Sequence, residues 1–391
     1  MKILYHHRTQ GTGAEGVHIG HVVKSLREIG HQVDVVSPND GDPTQTAGNN
    51  PYANKTGFKA RFLDWLSRIL PQVMFELLEL AYNASAAKKI NAQLQKGKID
   101  LLYERNAFFL FAGARIAKRH RIPYIVEVNE VAGEDRVRKQ FFIGTARRIE
   151  KEVFDAADAI IVVSTFLKKK IESMGVQGSK IHVIPNAADA SIFDPEKCRE
   201  SVREQLGIPA DAVVMGFIGW FVAWHNFGLL IEALGKLKDQ NVYLMLVGDG
   251  VLKDEIVESA RKHGCADRVI FPGAVKHNRI PEYINAMDIC IIPGSNEYRS
   301  PIKLFEYMLM GKPVVAPRLE PIEYIVKDGV EAVLFTQGQI TSFVDATADL
   351  VSSEEKRRTI GENARALILS KHLWRHNAQR VIDIWDALPK Q

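Results

Sequence analysis

The chain has 391 residues, a formal charge of +4, and 46% hydrophobic and 25% charged residues. The length fits two α/β domains, since one domain usually holds about 100 to 200 residues. Scattered basic residues argue against a nucleic-acid-binding protein, and the three cysteines lack the spacing of a disulfide framework or a thiolate metal site. The first residues run into polar His6-His7-Arg8, and no apolar run of about 18 residues follows. We therefore expect a cytoplasmic protein.

Short apolar runs alternate with helical patterns along the chain, which is typical of parallel sheets with crossover helices. In the first half, strands are predicted at 2–5, 32–36, 101–103, 124–128, 159–163 and 180–184. In the second half, they are predicted at 213–218, 242–247, 268–271, 289–292, 313–316 and 332–334. An irregular polar stretch at 185–199 separates the two series. We predict an N-terminal domain over 1–190, a C-terminal domain over 191–365, and a final helix at 366–391 that returns towards the N-terminal domain.

Turn-forming residues fill positions 39–57 and predict a surface loop. The loop contains Asp40-Gly41-Asp42, in which two acids have a spacing that can hold a divalent metal. Paired acids in a stretch rich in Gly, Pro and Asn are usually turn residues. We therefore predict no required metal ion.

Apolar residues recur at helical spacing over 58–70, and basic residues lie between them. An apolar stretch follows at 73–82. These segments are either ordinary domain helices or a surface that rests on a membrane and receives a lipid-linked substrate.

Glycines at 11, 13 and 16 spell G-x-G-x-x-G after the first strand. The glycines begin too far beyond the strand, and the acid Asp34 lies inside the second strand, so a dehydrogenase fingerprint is disfavoured. Glycines before a helix still expose backbone N–H groups to an anion. His6 and His7 end the first strand at the sheet edge where α/β proteins bind ligands, although such histidines are more often structural.

The most specific pattern lies at 300–316, Ser-Pro-Ile-Lys-Leu-Phe-Glu-Tyr-Met-Leu-Met-Gly-Lys-Pro-Val-Val-Ala. A helix begins within it, Gly311 ends that helix, and a strand follows. Glu306 is either a solvated helix residue or a carboxylate that needs a partner in an apolar stretch. The segment resembles the donor-binding element of family 4 retaining glycosyltransferases. The resemblance implies that Glu306 holds the ribose of a nucleotide-sugar, while backbone N–H groups of Ile302 and Lys303 hold its diphosphate.

Further blocks resemble the same family in the same order along the chain. They are Gly13-Ala14-Glu15 with His18, Pro185-Asn186 with Asp189, 216–219 with Trp224-His225, 247–250, and Trp374. The resemblance implies a GT-B fold, in which two Rossmann-like, doubly wound domains face each other across a cleft. The donor would bind mainly the C-terminal domain and the acceptor the N-terminal one.

Three sets of site residues follow from these blocks. We predict catalytic roles for Asn129, Glu306, Lys303 and Glu297. We predict donor binding by Gly13, Gly219, Trp220, His225, Gly248, Asp249, Arg299, Ile302, Lys303 and Glu306. We predict acceptor binding by His18, Glu15 and Asn129.

The chain departs from the family pattern at several of these positions. Tyr298 stands where the family often has the first of two glutamates, and Glu297 lies one place away. Trp220 and His225 replace an arginine and a lysine that neutralise the donor diphosphate, so either Arg299 and Lys303 or a protonated His225 would supply the charge. Asn129 replaces a histidine and cannot act as a base near neutral pH.

The resemblance implies transfer of a sugar from a nucleotide-sugar to a glycan, lipid-linked or small-molecule acceptor, with retention of anomeric configuration and no cofactor. The leaving diphosphate would then accept the acceptor's proton. Two alternatives stay open: a GT-B sugar-nucleotide epimerase and a catalytically degenerate sugar-nucleotide-binding protein. The protein would lie in the cytoplasm, either free or at the inner face of the membrane.

Overall fold

The computed structural model describes residues 1–9, 13–39, 41–46, 72–134, 141–198, 202–237 and 241–389. The chain divides into two compact units, Met1–Pro185 with Arg375–Gln391, and Asn186–Trp374. The sequence-based boundaries were placed at 190 and 365. Asp40, most of the predicted loop and the predicted helix at 58–70 lie outside the described residues.

The first unit is built on a six-stranded parallel sheet with the order β2-β1-β3-β4-β5-β6. The strands are β1 Lys2–His6, β2 Gln32–Val36, β3 Leu101–Arg105, β4 Tyr124–Val128, β5 Ala159–Val162 and β6 Ile181–Val183. The helices are α1 Gly13–Glu28, α2 Pro43–Thr46, α3 Gln72–Leu94, α4 Ala112–His120, α5 Ile143–Ala156 and α6 Thr165–Ser173. Every residue of β3, β4 and β5 is buried, as expected for parallel strands covered on both faces.

The second unit is built on another six-stranded parallel sheet, with the order β12-β11-β10-β7-β8-β9. The strands are β7 Val213–Ile218, β8 Val242–Val247, β9 Val269–Gly273, β10 Ile289–Ile291, β11 Val314–Pro317 and β12 Val333–Phe335. The helices are α7 Val202–Gln205, α8 Phe227–Lys236, α9 Lys253–Lys262, α10 Ile280–Asn285, α11 Ile302–Leu309, α12 Glu320–Glu323, α13 Ile340–Ser352 and α14 Glu354–Lys371.

The central strand β7 divides the apolar core of the second unit into two layers. Val214 and Ile218 belong to the layer on one face of the sheet, and Met215 and Phe217 belong to the layer on the other. This alternation follows from the two-residue period of a strand and places helices on both faces. The predicted α/β class with two parallel sheets is confirmed.

The last helix, α15 Trp374–Ala387, joins the first unit from Arg375 onward. Asn377 Nδ2 donates a 2.7 Å hydrogen bond to the Pro185 carbonyl, and Trp385 Nε1 donates to the Asp100 carbonyl. None of the described helices is long and apolar enough to cross a membrane.

The third strand is longer than the sequence predicted. Its end was placed at Tyr103 because charged residues follow, yet the strand continues through Glu104 and Arg105. Both side chains are buried and have charged or polar partners, which removes the cost that a bare buried charge would carry.

Asp42, from the acid pair considered as a metal ligand, has other partners. Its Oδ2 accepts a 2.8 Å hydrogen bond from Arg27, and its Oδ1 accepts hydrogen bonds from the backbone and hydroxyl of Thr44. Across the described ranges, no group of three or more His, Cys, Asp or Glu residues is placed to hold a metal ion.

Candidate functional site

The strand order of the second unit reverses at one point, and in α/β sheets such a point forms a crevice at the carboxyl ends of the strands. From β7 the chain moves outward through β8 and β9, and from β10 it moves in the opposite direction through β11 and β12. The neighbouring strands β7 and β10 are therefore the topological switch point, where ligands bind at the carboxyl ends of α/β sheets. The segments that follow these strands contain most of the predicted donor residues.

Two glycines let the loops after β7 and β8 approach each other closely. Gly219 and Gly248 have φ angles of 149° and 139°, which favour glycine. A Cβ atom added at Gly248 would lie only 2.0 Å from the Gly219 carbonyl oxygen. The backbone N–H of Gly219 donates to Val247, and that of Gly248 donates to Gly273. The close approach of the two backbones therefore requires glycine at position 248, and the positive φ angle favours glycine at position 219.

Helix α11 begins at the crevice and is held there by hydrogen bonds to other parts of the unit. The Tyr307 hydroxyl accepts a 2.7 Å hydrogen bond from the backbone N–H of Ile218, at the end of β7. Just before the helix, Ser300 accepts two hydrogen bonds from Asn186, one at its hydroxyl and one at its carbonyl. The first turn, with the backbone N–H groups of Ile302 and Lys303, is consequently fixed in position.

The Lys303 ammonium lies among groups from three segments. Its Nζ is 3.4 Å from His225 Nε2 and 3.9 Å from the centre of the Phe217 ring. A Cβ atom at Gly219 would lie 2.8 Å from the same nitrogen. The structure thus brings together three of the predicted donor residues, Gly219, His225 and Lys303.

Lys303 and Glu306 are an acid–base pair one helical turn apart. Burial lowers the pKa of Lys303 to about 7, although attraction to Glu306 acts in the opposite direction. Burial also raises the pKa of Glu306 to about 7 against the attraction of Lys303. Strongly shifted pKa values in a crevice are typical of functional sites.

His225 is neutral in this environment. Burial and the Lys303 charge lower its pKa to about 2. Its Nδ1 lies 3.1 Å from the Gly294 carbonyl, which can only accept a hydrogen bond, so Nδ1 carries the proton. This leaves Nε2 as the acceptor that faces Lys303. The structure therefore favours Lys303 over a protonated His225 as the cation of this site.

The other predicted residues of the second unit, which include the predicted catalytic residue Glu297, have different surroundings. The Arg299 guanidinium lies over the Trp224 ring at 4.8 Å and donates to the Tyr298 hydroxyl. Glu297 and Asp249 are exposed, and Trp220 is 51% exposed. Tyr298, which replaces the family's first glutamate, is buried. No contact described here brings Glu297 to Lys303 or Glu306.

In the first unit, Asn129 and His18 belong to a buried polar cluster around Glu127. Glu127 Oε1 accepts hydrogen bonds from Asn129 Nδ2 at 2.7 Å and from Arg105 at 2.8 Å. Glu127 Oε2 accepts a hydrogen bond from the Tyr103 hydroxyl at 2.8 Å. Arg105 also donates to His18 Nδ1 at 2.8 Å.

Within this cluster, the negative charge of Glu127 lies next to the positive charge of Arg105. Burial raises the pKa of Glu127, but attraction to His18 and Arg105 and its hydrogen bonds outweigh burial and lower the pKa overall. Burial lowers the pKa of His18 to about 4. Burial lowers the pKa of Arg105, but attraction to Glu127 and, less strongly, to other groups that include Glu15 raises it overall. Glu15, the other predicted acceptor residue, is exposed on α1.

Sequence reasoning missed Arg105 and Glu127, which connect the predicted residues. Arg105 is the last residue of β3, where a charge gives no clear signal, but Glu127 lies inside the otherwise apolar strand β4. That pattern is a usable signal, because a fully buried charge is rare unless it is paired. Glu104, next to Arg105, shows the same pattern: it accepts hydrogen bonds from His6 at 2.5 Å and from the Tyr124 hydroxyl at 2.6 Å.

Comparison with protein families gives two matches that together cover most of the chain. Residues 15–192 match the model described as Glycosyltransferase Family 4, and residues 199–367 match the model described as Glycosyl transferases group 1. The chain belongs to the family 4 glycosyltransferases.

Two curated relatives and one solved structure illustrate the similarity. A D-inositol 3-phosphate glycosyltransferase of Xylanimonas cellulosilytica is 25% identical over 252 residues, which are 62% of this chain and 60% of the relative. A lipopolysaccharide 1,2-N-acetylglucosaminetransferase of Salmonella typhimurium is 25% identical over 242 residues, 59% of this chain and 62% of the relative. The matches thus span less than two thirds of these relatives' own lengths.

The solved structure of Anabaena HepE in complex with UDP has a TM-score of 0.75 at 21% sequence identity. The match covers 99% of this chain and 100% of that one. The predicted GT-B fold is confirmed.

Proposed function

We propose that this protein transfers a sugar from a nucleotide-sugar to a hydroxyl group of an acceptor, with retention of anomeric configuration. The observation that carries the proposal is the Lys303–Glu306 pair at the switch point of the second unit. A cation and a carboxylate one helical turn apart match the two polar parts of a nucleotide-sugar, its diphosphate and its ribose. Membership of family 4 supports the same reaction class.

In this proposal the donor binds the second unit. The Glu306 carboxylate accepts hydrogen bonds from two ribose hydroxyls, and an ionised carboxylate has enough lone pairs for both. The Lys303 ammonium and the N-terminal N–H groups of α11 bind the diphosphate, where the helix dipole also favours negative charge. HepE was solved with UDP and with UDP-glucose, so uridine nucleotides are the first donors to test.

The acceptor binds the first unit, near Asn129. Because Asn129 donates its amide N–H to Glu127, its amide oxygen is left to accept a hydrogen bond from the acceptor hydroxyl. An amide cannot take up the proton. The bond from the acceptor oxygen to the anomeric carbon forms as the bond to the donor phosphate breaks, and the proton passes to the leaving phosphate oxygen.

We further propose that transfer needs no metal ion or other cofactor. Lys303, Arg299 and the first turn of α11 supply positive charge for the diphosphate, which a divalent cation supplies in other enzymes.

Glycans and lipid-linked sugars are the proposed acceptor class, since one relative is named for transfer to lipopolysaccharide. For this class we propose a cytoplasmic location with peripheral membrane contact through residues 58–82. In the described part of that segment, Met74, Leu77 and Leu78 are exposed apolar residues on α3. Flotation with anionic lipid vesicles tests the contact, and no loss of binding in a variant with serine at these three positions would contradict it.

The deciding experiment screens UDP-, GDP- and ADP-sugars by thermal shift and then measures turnover of the stabilising donor. A ligand at a hundred times its dissociation constant raises the free energy of unfolding by about 2.7 kcal/mol. NMR of the product with a sugar acceptor gives the anomeric configuration. Retention supports the proposal, whereas inversion refutes the stereochemical part. An altered sugar nucleotide without acceptor indicates an epimerase, and tight binding without turnover indicates a degenerate binding protein.

A further inference from the structure

The positive charge at the proposed diphosphate site lies on a long, flexible side chain. A lysine has several rotatable bonds, and fixing it costs conformational entropy unless neighbouring groups hold it in place. Lys303 has such neighbours: the Phe217 ring lies below its ammonium at 3.9 Å, and His225 Nε2 lies 3.4 Å away. An aromatic ring attracts a cation over its face but does not fix its direction as a hydrogen-bond acceptor does.

His225 is itself fixed on its other side. It lies in the short 3-10 helix Ala223–His225, packs edge-on against Phe217 with ring centres 4.9 Å apart, and has its Nδ1 3.1 Å from the Gly294 carbonyl. A Cβ atom at Gly294 would lie 2.4 Å from the Trp224 carbonyl, so glycine is needed for this approach. The carbonyl fixes the tautomer, and the tautomer leaves Nε2 as an acceptor.

We propose that His225 is a positioning residue that holds the Lys303 ammonium in place for the donor diphosphate through its neutral Nε2. This inference rests on the proposed function, since it assumes that Lys303 binds the diphosphate. At position 225 the family pattern has a basic residue, whereas this chain has a neutral hydrogen-bond acceptor. That acceptor positions a different cation, Lys303, which belongs to α11. The lowered pKa of His225 agrees with this role, because a protonated ring would repel Lys303.

Two substitutions at His225 separate its two hydrogen bonds. His225→Gln places an amide oxygen near the position of Nε2 and keeps the acceptor for Lys303. His225→Asn places an amide N–H near the position of Nδ1 and keeps the bond to Gly294 but loses the acceptor. We expect His225→Asn to weaken nucleoside diphosphate binding about tenfold, as for one hydrogen bond to a charged group, and His225→Gln to stay within about threefold of the native chain.

The measurement is calorimetry of the full chain with UDP and with uridine, or with the base selected by the donor screen. Uridine affinity should be unchanged in both variants because it carries no anion. A purely structural role for His225 would weaken both ligands and would not be rescued by glutamine. His263→Asn, an exposed histidine at the end of α9, is the matched control.

A double-mutant cycle with Lys303→Ala tests whether His225 affects diphosphate binding through Lys303. If His225 acts through Lys303, His225→Asn adds no further loss in the Lys303→Ala background. Full additivity, or equal affinity of the asparagine and glutamine variants, overturns the positioning role. If Lys303→Ala alone leaves UDP affinity unchanged, the proposed donor site fails instead, so the two failures are distinguishable. A ¹⁵N spectrum of His225 provides an independent check: a neutral Nδ1–H tautomer at pH 6 is expected, and an imidazolium signal there refutes the inference.

Discussion

Replacing Glu306 by glutamine tests the carboxylate on which the proposed donor site depends. The substitution keeps the length of the side chain and removes its charge. Glutamine and glutamate have similar helix propensities, and residue 306 lies inside α11, so we expect the fold to be retained. A change in donor affinity can then be assigned to the carboxylate itself.

The expected loss follows from the hydrogen bonds to the ribose. A carboxylate accepts two hydroxyl bonds, whereas the amide of glutamine has one oxygen that accepts. A hydrogen bond to a charged group contributes about 1.5 to 3 kcal/mol, which corresponds to a loss of about 10- to 150-fold in affinity at neutral pH.

The pKa shifts at this site predict a pH dependence as well. Below pH 7, Glu306 gains a proton and loses acceptor capacity, while above pH 7, Lys303 loses its proton and its charge, since both pKa values are about 7. Donor affinity should therefore peak near neutral pH. In Glu306→Gln the decrease on the acid side should disappear. The decrease on the alkaline side should move to lower pH, because the carboxylate that raises the pKa of Lys303 is gone.

Calorimetry with the nucleotide-sugar at pH 6, 7 and 8 measures both effects. The nucleotide-sugar is preferable to the nucleoside diphosphate, whose terminal phosphate itself titrates near pH 6. Glu362→Gln, an exposed glutamate on α14, is the control for loss of a helix carboxylate. Unchanged donor affinity of Glu306→Gln at all three pH values would refute a contact between this carboxylate and the ribose.

Three further outcomes are expected. Lys303→Ala should remove much of the affinity for nucleoside diphosphate but little of that for the nucleoside, and Arg299→Ala should act in the same direction more weakly, as calorimetry with both ligands will show. Turnover should persist in excess EDTA, and a complete loss that magnesium restores would contradict the metal-independent proposal. Gly248→Ala should lower the free energy of unfolding by more than about 2 kcal/mol, because the added Cβ would meet a backbone oxygen. Gly264→Ala is the control: its Cβ would lie in open space, and the free energy of unfolding should fall by only about 1 kcal/mol. Equal losses for the two variants in urea unfolding would refute the close approach at Gly248.

The fold was predictable because each strand carries a strong local signal. Runs such as the one at 242–247 are apolar throughout, as parallel strands buried on both faces must be. Strand ends were less predictable where chemistry interrupts the apolar pattern, as it does at Glu104 and Arg105. From the sequence alone, a charged residue that marks the end of a strand cannot be told from one that continues the strand and is buried with a partner.

The candidate donor site was predictable in part. Glu306 and Lys303 lie within one motif, so their spacing on a helix could be inferred directly. The contact between Lys303 and His225 joins residues 78 positions apart, and its existence depends on β7 and β10 being neighbours. No local sequence pattern predicts that β7 and β10 are adjacent. The sequence therefore suggested His225 only as a cation and not as a hydrogen-bond acceptor for Lys303.

The Glu127 cluster and the Lys303–Glu306 pair differ in how their charges are satisfied. In the first unit, Glu127 has hydrogen bonds from Arg105, Asn129 and Tyr103, and its pKa is lowered despite burial. In the second unit, the pKa of Lys303 is lowered and that of Glu306 is raised, so both shifts favour the neutral form of the group. A cluster whose polar groups all have partners fixes the orientation of its side chains, as the hydrogen bond to Glu127 does for the Asn129 amide. The Lys303–Glu306 pair is compensated less fully, because burial outweighs the attraction between the two groups even with His225 and Phe217 beside Lys303. An anion beside Lys303 together with hydroxyl donors beside Glu306 would complete the compensation. This difference gives the second unit the stronger physical case for an anionic, hydroxyl-bearing ligand such as a nucleotide-sugar.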